Sequence, residues 1–137
     1  MRTLALDVGT KTIGVAISDP LGMFAQPVET IRRVGRKKDV ERLASHVRER
    51  EVGCVVVGLP LKTDGSEGPS ADEARRMVTA LEEALDGVNV LLQDERFTTQ
   101  QAERALIGGG VRRKKRKGVI DQVAAVLILQ AYLDSRG

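Results

Sequence analysis

Residues 3 to 18, TLALDVGTKTIGVAIS, contain two runs of aliphatic and β-branched residues joined through GTK. This is the pattern of a hairpin with Gly9 in its turn, and it commits the start of the chain to antiparallel pairing. A third extended stretch covers FAQPVETIRR, residues 24 to 33. Pro27 within it has no N–H to give to a ladder, so the stretch suits an edge strand or a bulge better than a central position. One acid, Asp7, ends the first run, and a carboxylate at the end of a strand that otherwise reads as buried needs a reason.

From Lys37 the period changes. Val40, Leu43, Ala44 and Val47 recur at helical spacing, which predicts an amphipathic helix over residues 37 to 50. CVVVG, residues 54 to 58, is a continuous apolar run closed by glycine, as expected of a strand covered on both faces. A loop, LPLKTDGSEGPS, precedes a second helix marked by Ala74, Met77, Val78, Leu81 and Leu85 and closed by Gly87. VNVLLQ reads as another buried strand. Thr98 and Gln101 then have capping-box spacing, so a third helix should start near Thr98. After a glycine-bounded basic loop at residues 108 to 118, a helix apolar on nearly every face runs from about Val119 to Leu133. The order β-β-β-α-β-α-β-α-α predicts an α/β domain with a mixed sheet, its first strands antiparallel and its later ones in crossover units. At 137 residues this is a single domain, 1–137, large enough to bury a core.

Composition narrows the chemistry. The only histidine, His46, reads as a surface or boundary residue of the first helix, and the only cysteine, Cys54, as a small core residue that burial keeps inert. That removes Ser–His, Cys–His and zinc chemistry and any internal disulfide. With no apolar run of membrane-spanning length and no signal-peptide layout, the expectation is a cytoplasmic protein with no membrane partner. The net charge is +3, yet RRKKRK at residues 112 to 117 alone carries six positive charges, leaving sixteen basic against nineteen acidic residues elsewhere. Arg112, Arg113, Lys114, Lys115, Arg116 and Lys117 therefore form a local patch that favours a polyanion. Three glycines followed by mutually repelling charges predict a mobile loop there.

Hydrolysis in such a chain falls to carboxylates and hard metal ions. Asp7 ends the first strand, DER (Asp94, Glu95, Arg96) ends the last, and Asp121 opens the C-terminal helix. Placed as parallel neighbours, the first and last strands would put Asp7 and the DER acids on one edge, under Asp121. Three converging carboxylates suit Mg²⁺ or Mn²⁺, and two such ions about 4 Å apart can hold both the attacking water and the leaving oxygen of a phosphodiester. Asp94 and Glu95 point to opposite faces of an extended chain, so only one can face the site, and the residues alone leave that choice open. Asp7 as a turn residue and Asp121 as a helix cap are the bland alternatives.

LALDVGTKTIGVAISD, VVGLPLKTDGSEG, DERFTT and DQVAAVLIL resemble, in order and spacing, the signature blocks of the YqgF/RuvX family, and the resemblance spans essentially the whole chain. It implies a ribonuclease-H-like fold with a mixed five-stranded sheet flanked by helices. It also implies a nuclease, described for this family as acting on the 5′ end of precursor 16S rRNA or as a Holliday-junction resolvase. The family's acidic triad falls on Asp7, Glu95 and Asp121, as catalytic residues and metal ligands, which tips the choice within DER towards Glu95. Gly9, Gly58 and Pro60 then shape turns at the site, while Lys11, Lys62 and Arg96 join the basic run as contacts to a nucleic-acid backbone.

Two other classes compete. A nucleotide-binding lobe also starts with an acid and Gly-Thr in a hairpin, but 137 residues hold one lobe and a ligand would lie half exposed. No Walker-type GxxxxGK[ST] occurs either. A non-catalytic nucleic-acid-binding module would use the basic run, but metal-free carboxylates repel a phosphate backbone. Within the nuclease reading, RNA is favoured and branched DNA is the alternative, acted on by a monomer or a homodimer.

Overall fold

The structure, a computed structural model, describes residues 2–62, 64–94 and 113–136, with side chains from Val123 onward in the last stretch. Its elements are β1 (Arg2–Val8), β2 (Thr12–Ser18), β3 (Ala25–Arg32), α1 (Arg36–Glu49), β4 (Val52–Leu59), α2 (Pro69–Ala84), β5 (Asn89–Asp94) and α3 (Arg113–Arg136). The strands form one mixed sheet in the order β3-β2-β1-β4-β5. β1, β2 and β3 form an antiparallel meander, while β4 lies parallel to β1 and β5 parallel to β4.

Strand periodicity divides the side chains between two helical layers. Leu4, Leu6, Ile13, Val15, Val55 and Val57 point to one face and pack with Leu43 and Val47 of α1 and Met77 and Leu81 of α2. The intervening Ala5, Ala16 and Val56 point to the other face and meet Ala125, Ile128, Leu129 and Tyr132 of α3. β4 is thus covered on both faces, as its unbroken apolar run predicts. Pro27 sits on the outermost strand, at the register shift between Val15 and Ala16 on its neighbour, so edge position and bulge both apply.

Several expectations need correcting. β1 and β5 are parallel but not adjacent, because β4 lies between them. β5 is an edge strand with Val90 and Leu92 half-buried and Leu91 40% exposed, not a fully buried one. α3 begins at Arg113, so the basic residues Arg113 to Lys117, and Gly118, belong to the helix and not to a loop. Arg and Lys rank among good helix formers, and a helix already nucleated on the sheet extends at one hydrogen bond per residue. α3 is also not buried all round: Ala124, Ala125, Ile128, Leu129 and Tyr132 form its buried stripe, and Val126 and Leu133 are half-buried. Cys54 is half-buried, its Sγ 3.7 Å from the Tyr132 hydroxyl. His46, expected at the surface or boundary of its helix, is buried at 8% exposure. The helix expected near Thr98 and residues 108–112 of the expected loop lie outside the described residues. Among the described residues no helix is long and apolar enough to cross a membrane.

Candidate nucleic-acid and metal site

The C-terminal ends of β1, β4 and β5 share one edge of the sheet, and the turns after β1 and β4 open there. Asp7, the penultimate residue of β1, stands on the α3 side, two residues beyond Ala5. Its partner across the antiparallel ladder is Gly14. On the parallel side the register runs Ala5 to Val56 and Leu6 to Val57, which brings Gly58 beside Asp7. Gly58 in turn faces Gln93 on β5. The row across this face therefore reads Thr30, Gly14, Asp7, Gly58, Gln93. Asp7 is flanked on both sides by buried glycines, where the row two residues earlier sets Ala16 and Val56 beside Ala5. Between Asp7 and β5 lie two strand spacings, about 10 Å, with only a glycine in the middle.

The same parity settles Asp94. Val90 and Leu92 pack towards α1 and α2, and Asp94 falls in step with them, on the face opposite Asp7. Glu95 and Arg96 lie outside the described residues, as does Arg112.

α3 runs antiparallel to β1: Tyr132 lies beside Cys54 near the start of β4, and Ala125 shares a cluster with Ala5 and Val56. From Ala125 back to position 121 the helix rises about 6 Å, and from Ala5 forward to Asp7 the strand rises about 6.6 Å. The helix thus runs from Tyr132 back past Asp121 towards the end of the sheet at which Asp7 stands. Arg113, Lys114, Lys115, Arg116 and Lys117 occupy the turns of α3 beyond Asp121, towards the same end of the sheet. Among the described residues no three His, Cys, Asp or Glu side chains gather into a metal-holding group; of the three acids expected to form a triad, only Asp7 has a described side chain.

Lys11 is exposed in the turn after β1. Gly9 donates from its N–H to the Thr12 carbonyl at 2.8 Å, and a Cβ on Gly9 would stand 3.0 Å from that oxygen, so the tight turn favours glycine. After β4, Pro60 leads into a short turn in which the Lys62 N–H donates to the Ser66 carbonyl and the Gly65 N–H to the Lys62 carbonyl. Gly65 has a φ of 89°, a conformation that favours glycine. The exposed Lys62 lays its stem along Gly68, where a Cβ would stand 3.3 Å from its Cε. Lys11, Lys62, Gly9, Gly58 and Pro60 are thus gathered around Asp7's edge.

Sequence reasoning missed an ionic cluster beneath this edge. Arg33 donates from Nε to Asp39 Oδ2 at 3.0 Å, from Nη1 to the Gly9 carbonyl at 2.9 Å and from Nη2 to Glu73 Oε1 at 2.9 Å. Burial disfavours the charge on Arg33, but Asp39 and Glu73 outweigh it and raise its pKa. Burial likewise pushes Glu73 up, yet its hydrogen bonds to Arg33 and Arg36 hold it below the usual carboxylate range. No local sequence signal joins Arg33 to Gly9 or to Glu73, which lie 24 and 40 positions from it. The flanking Gly14 was missed as well, since only strand register reveals it.

Comparison with known proteins agrees with this architecture. The model of the RuvX family, described as Holliday junction resolvase, matches residues 1–135. A Myxococcus xanthus protein named "Putative pre-16S rRNA nuclease" is 53% identical over 98% of this chain and 89% of its own length. A Halalkalibacterium halodurans protein of the same name is 52% identical over 98% and 96%. Among solved structures, RuvC of T. thermophilus in complex with a Holliday junction substrate superposes with a TM-score of 0.63 at 16% identity, covering 99% of this chain and 95% of that one. A fowlpox virus resolvase bound to Holliday junction DNA gives 0.61 at 14% identity, with 99% of each chain covered. These two likenesses show the fold, a ribonuclease-H-like mixed sheet.

Proposed function

The chain belongs to the RuvX family, and from that premise we propose that it is a metal-dependent phosphodiester endonuclease, a single domain over 1–137, that processes the 5′ end of precursor 16S rRNA in the cytoplasm. The observation that carries this reading is Asp7 in its gap: a carboxylate at the edge where the turns converge, flanked by Gly14 and Gly58. A hard divalent ion takes carboxylate oxygens together with water and phosphate oxygens, and a partly exposed carboxylate at the end of a strand is a ligand of that kind. Asp7, Glu95 and Asp121 are the residues proposed to hold Mg²⁺ or Mn²⁺. Two such ions, when bound, supply an activated water and neutralise the leaving oxygen.

The remaining residues bind and orient. Lys11 and Lys62 reach the backbone from the turns after β1 and β4, and Arg96 joins them from the end of the last strand. Arg113, Lys114, Lys115, Arg116 and Lys117 attract a polyanion from the start of α3, and Arg112 adds to the same basic run in sequence. Gly9, Gly58 and Pro60 shape the turns at this edge. RNA is favoured because one site can trim a single-stranded end in a monomer, whereas resolving a four-way junction takes two symmetric cuts and hence a two-fold dimer. The relatives' name supports the RNA substrate. The family description and the junction-bound neighbours favour the second reading, a homodimeric resolvase of branched DNA.

The test offers purified protein, with Mg²⁺ or Mn²⁺, matched precursor-rRNA leader, single strands and four-way junctions. Cleavage of the leader by a monomer, abolished by chelation, is expected. Paired symmetric cuts in junctions by a dimer, with the leader untouched, would replace the first reading by the second.

A further inference from the structure

We infer that Arg33 is a positioning residue for this site: it clamps the Gly9–Lys11 turn that follows Asp7 and holds the acid in register for metal and substrate. The inference rests on the proposed role of Asp7, but the clamp itself is read from hydrogen bonds alone.

Arg33 grips the turn twice. Its backbone N–H donates to the Lys11 carbonyl at 2.9 Å, and its Nη1 donates to the Gly9 carbonyl, also at 2.9 Å. Together with the bond from the Gly9 N–H to the Thr12 carbonyl, this ties down both backbone groups of Gly9. The guanidinium is anchored from behind by two further elements. Asp39 of α1, whose side chain is fully buried, takes Nε with one oxygen and the Val34 N–H with the other at 3.1 Å. Glu73 of α2 takes Nη2, and its second oxygen pairs with Arg36 at 3.1 Å. One planar group thus links the turn after β1 to both helices of the opposite layer.

Stability alone is a weak reason for such a group. Desolvating an ion pair cancels much of its attraction, and apolar replacements of buried pairs are often neutral or stabilising. What an apolar group cannot supply is a donor aimed at the Gly9 carbonyl. Lysine cannot replace the arrangement either, since one ammonium nitrogen does not span three partners set along a rigid fork. Asp39 and Glu73 offset most of the charge of Arg33, Arg36 and the more distant Arg76, 3.9 Å from Glu73, so the cluster acts more through geometry than through its field.

The experiment compares Arg33→Lys with the wild-type chain in three measurements: amide hydrogen exchange at Gly9 and at position 33, Mn²⁺ binding by calorimetry, and cleavage kinetics at a temperature where both are folded. Exchange at Gly9 and position 33 should accelerate, and Mn²⁺ should bind more weakly. At saturating metal, kcat should fall by about 10²-fold, as misplacement of a reacting group by about 1 Å does, while KM for the nucleic acid stays near the wild-type value. Glu73→Gln, at the more exposed end of the fork, should give the same pattern in weaker form and serves if Arg33→Lys fails to fold. Arg33→Lys combined with Asp39→Asn should be no worse than the poorer single variant, because both act through one clamp. Unchanged exchange and metal affinity in a folded Arg33→Lys chain, or a lower melting temperature with kcat intact, would overturn the inference. A wild-type chain that cleaves nothing would instead defeat the proposed function, and the exchange measurement would still decide the clamp.

Discussion

The two faces of the sheet are built on different principles. Towards α1 and α2, β1, β2 and β4 present leucine, isoleucine and valine, which interlock with Leu43, Met77 and Leu81 in one continuous core. Towards α3 the same strands present Ala5, Ala16 and Val56, and then, at the edge, Gly14 and Gly58 around Asp7. Side-chain volume falls along the second face until none is left on either side of the acid. One face carries the larger cluster of buried side chains, and the other narrows to two buried glycines beside an acid. Changes on the first face should therefore read out as stability, and changes on the second as activity.

The sharpest break of that division is Asp7→Asn, which keeps volume and removes charge. Cleavage should drop by about three orders of magnitude or more, the several kcal/mol that metal-held charge contributes, with the melting temperature within a few degrees of wild type. A folded, fully active Asp7→Asn protein would reduce the acid to a turn residue. Next in size is Leu81→Ala on the other face. Leu81 is fully buried, so truncation should cost about 2–5 kcal/mol in urea unfolding, with kcat unaltered where the protein remains folded. A loss of kcat there would show that the faces are coupled.

Gly58→Val comes third. It places a branched side chain in the gap between Asp7 and β5, in a strand conformation valine favours. Activity should fall at least about tenfold, about 1.4 kcal/mol, with no loss of circular-dichroism signal. Wild-type rates would mean that the gap is wider than the substrate needs.

The smallest effect is electrostatic. Glu29 on β3 bonds to Arg42 at 2.5 Å and to His46 Nε2 at 2.5 Å. Burial pushes its carboxyl up, but those two partners outweigh burial and leave it below its ordinary value. A depressed carboxylate stabilises the fold above its unfolded value, about 4.3, and that contribution is lost as pH falls through the lower, folded value. Melting curves of wild type and Glu29→Gln should thus differ at neutral pH and converge in acid. A gap that persists at low pH would assign the effect to packing.

How far the sequence made this legible depends on the range of each interaction. The β1–β2 hairpin, α1, α2 and the doubly covered β4 are written in local period and turn chemistry, and they stand where that pattern puts them. The order of the parallel strands is not local. β4 enters between β1 and β5 because helix packing decides where a crossover strand lands, and nothing in VNVLLQ says it will be an edge. The start of α3 went to helix propensity over charge repulsion. At the site, Asp7 was visible as an acid out of place. The two glycines beside it emerge only from register, and the grip of the Arg33 side chain on Gly9 and Glu73 only from contacts 24 and 40 positions apart.

The strand order has a consequence for how the chain is made. β1 is central, yet only one of its neighbours is synthesised close to it. The meander β1–β2–β3 is complete by Arg32, whereas β4, which seals the other side of β1, ends at Leu59. At about 5–20 residues per second of translation, the nascent chain carries for seconds an unpaired β1 ladder of exposed N–H and C=O groups, a template for any extended segment nearby. α1, which lies between β3 and β4 in the chain, sets how quickly that edge is closed. Weakening α1 should therefore lower the yield of folded chain during synthesis more than it lowers the stability of the finished molecule.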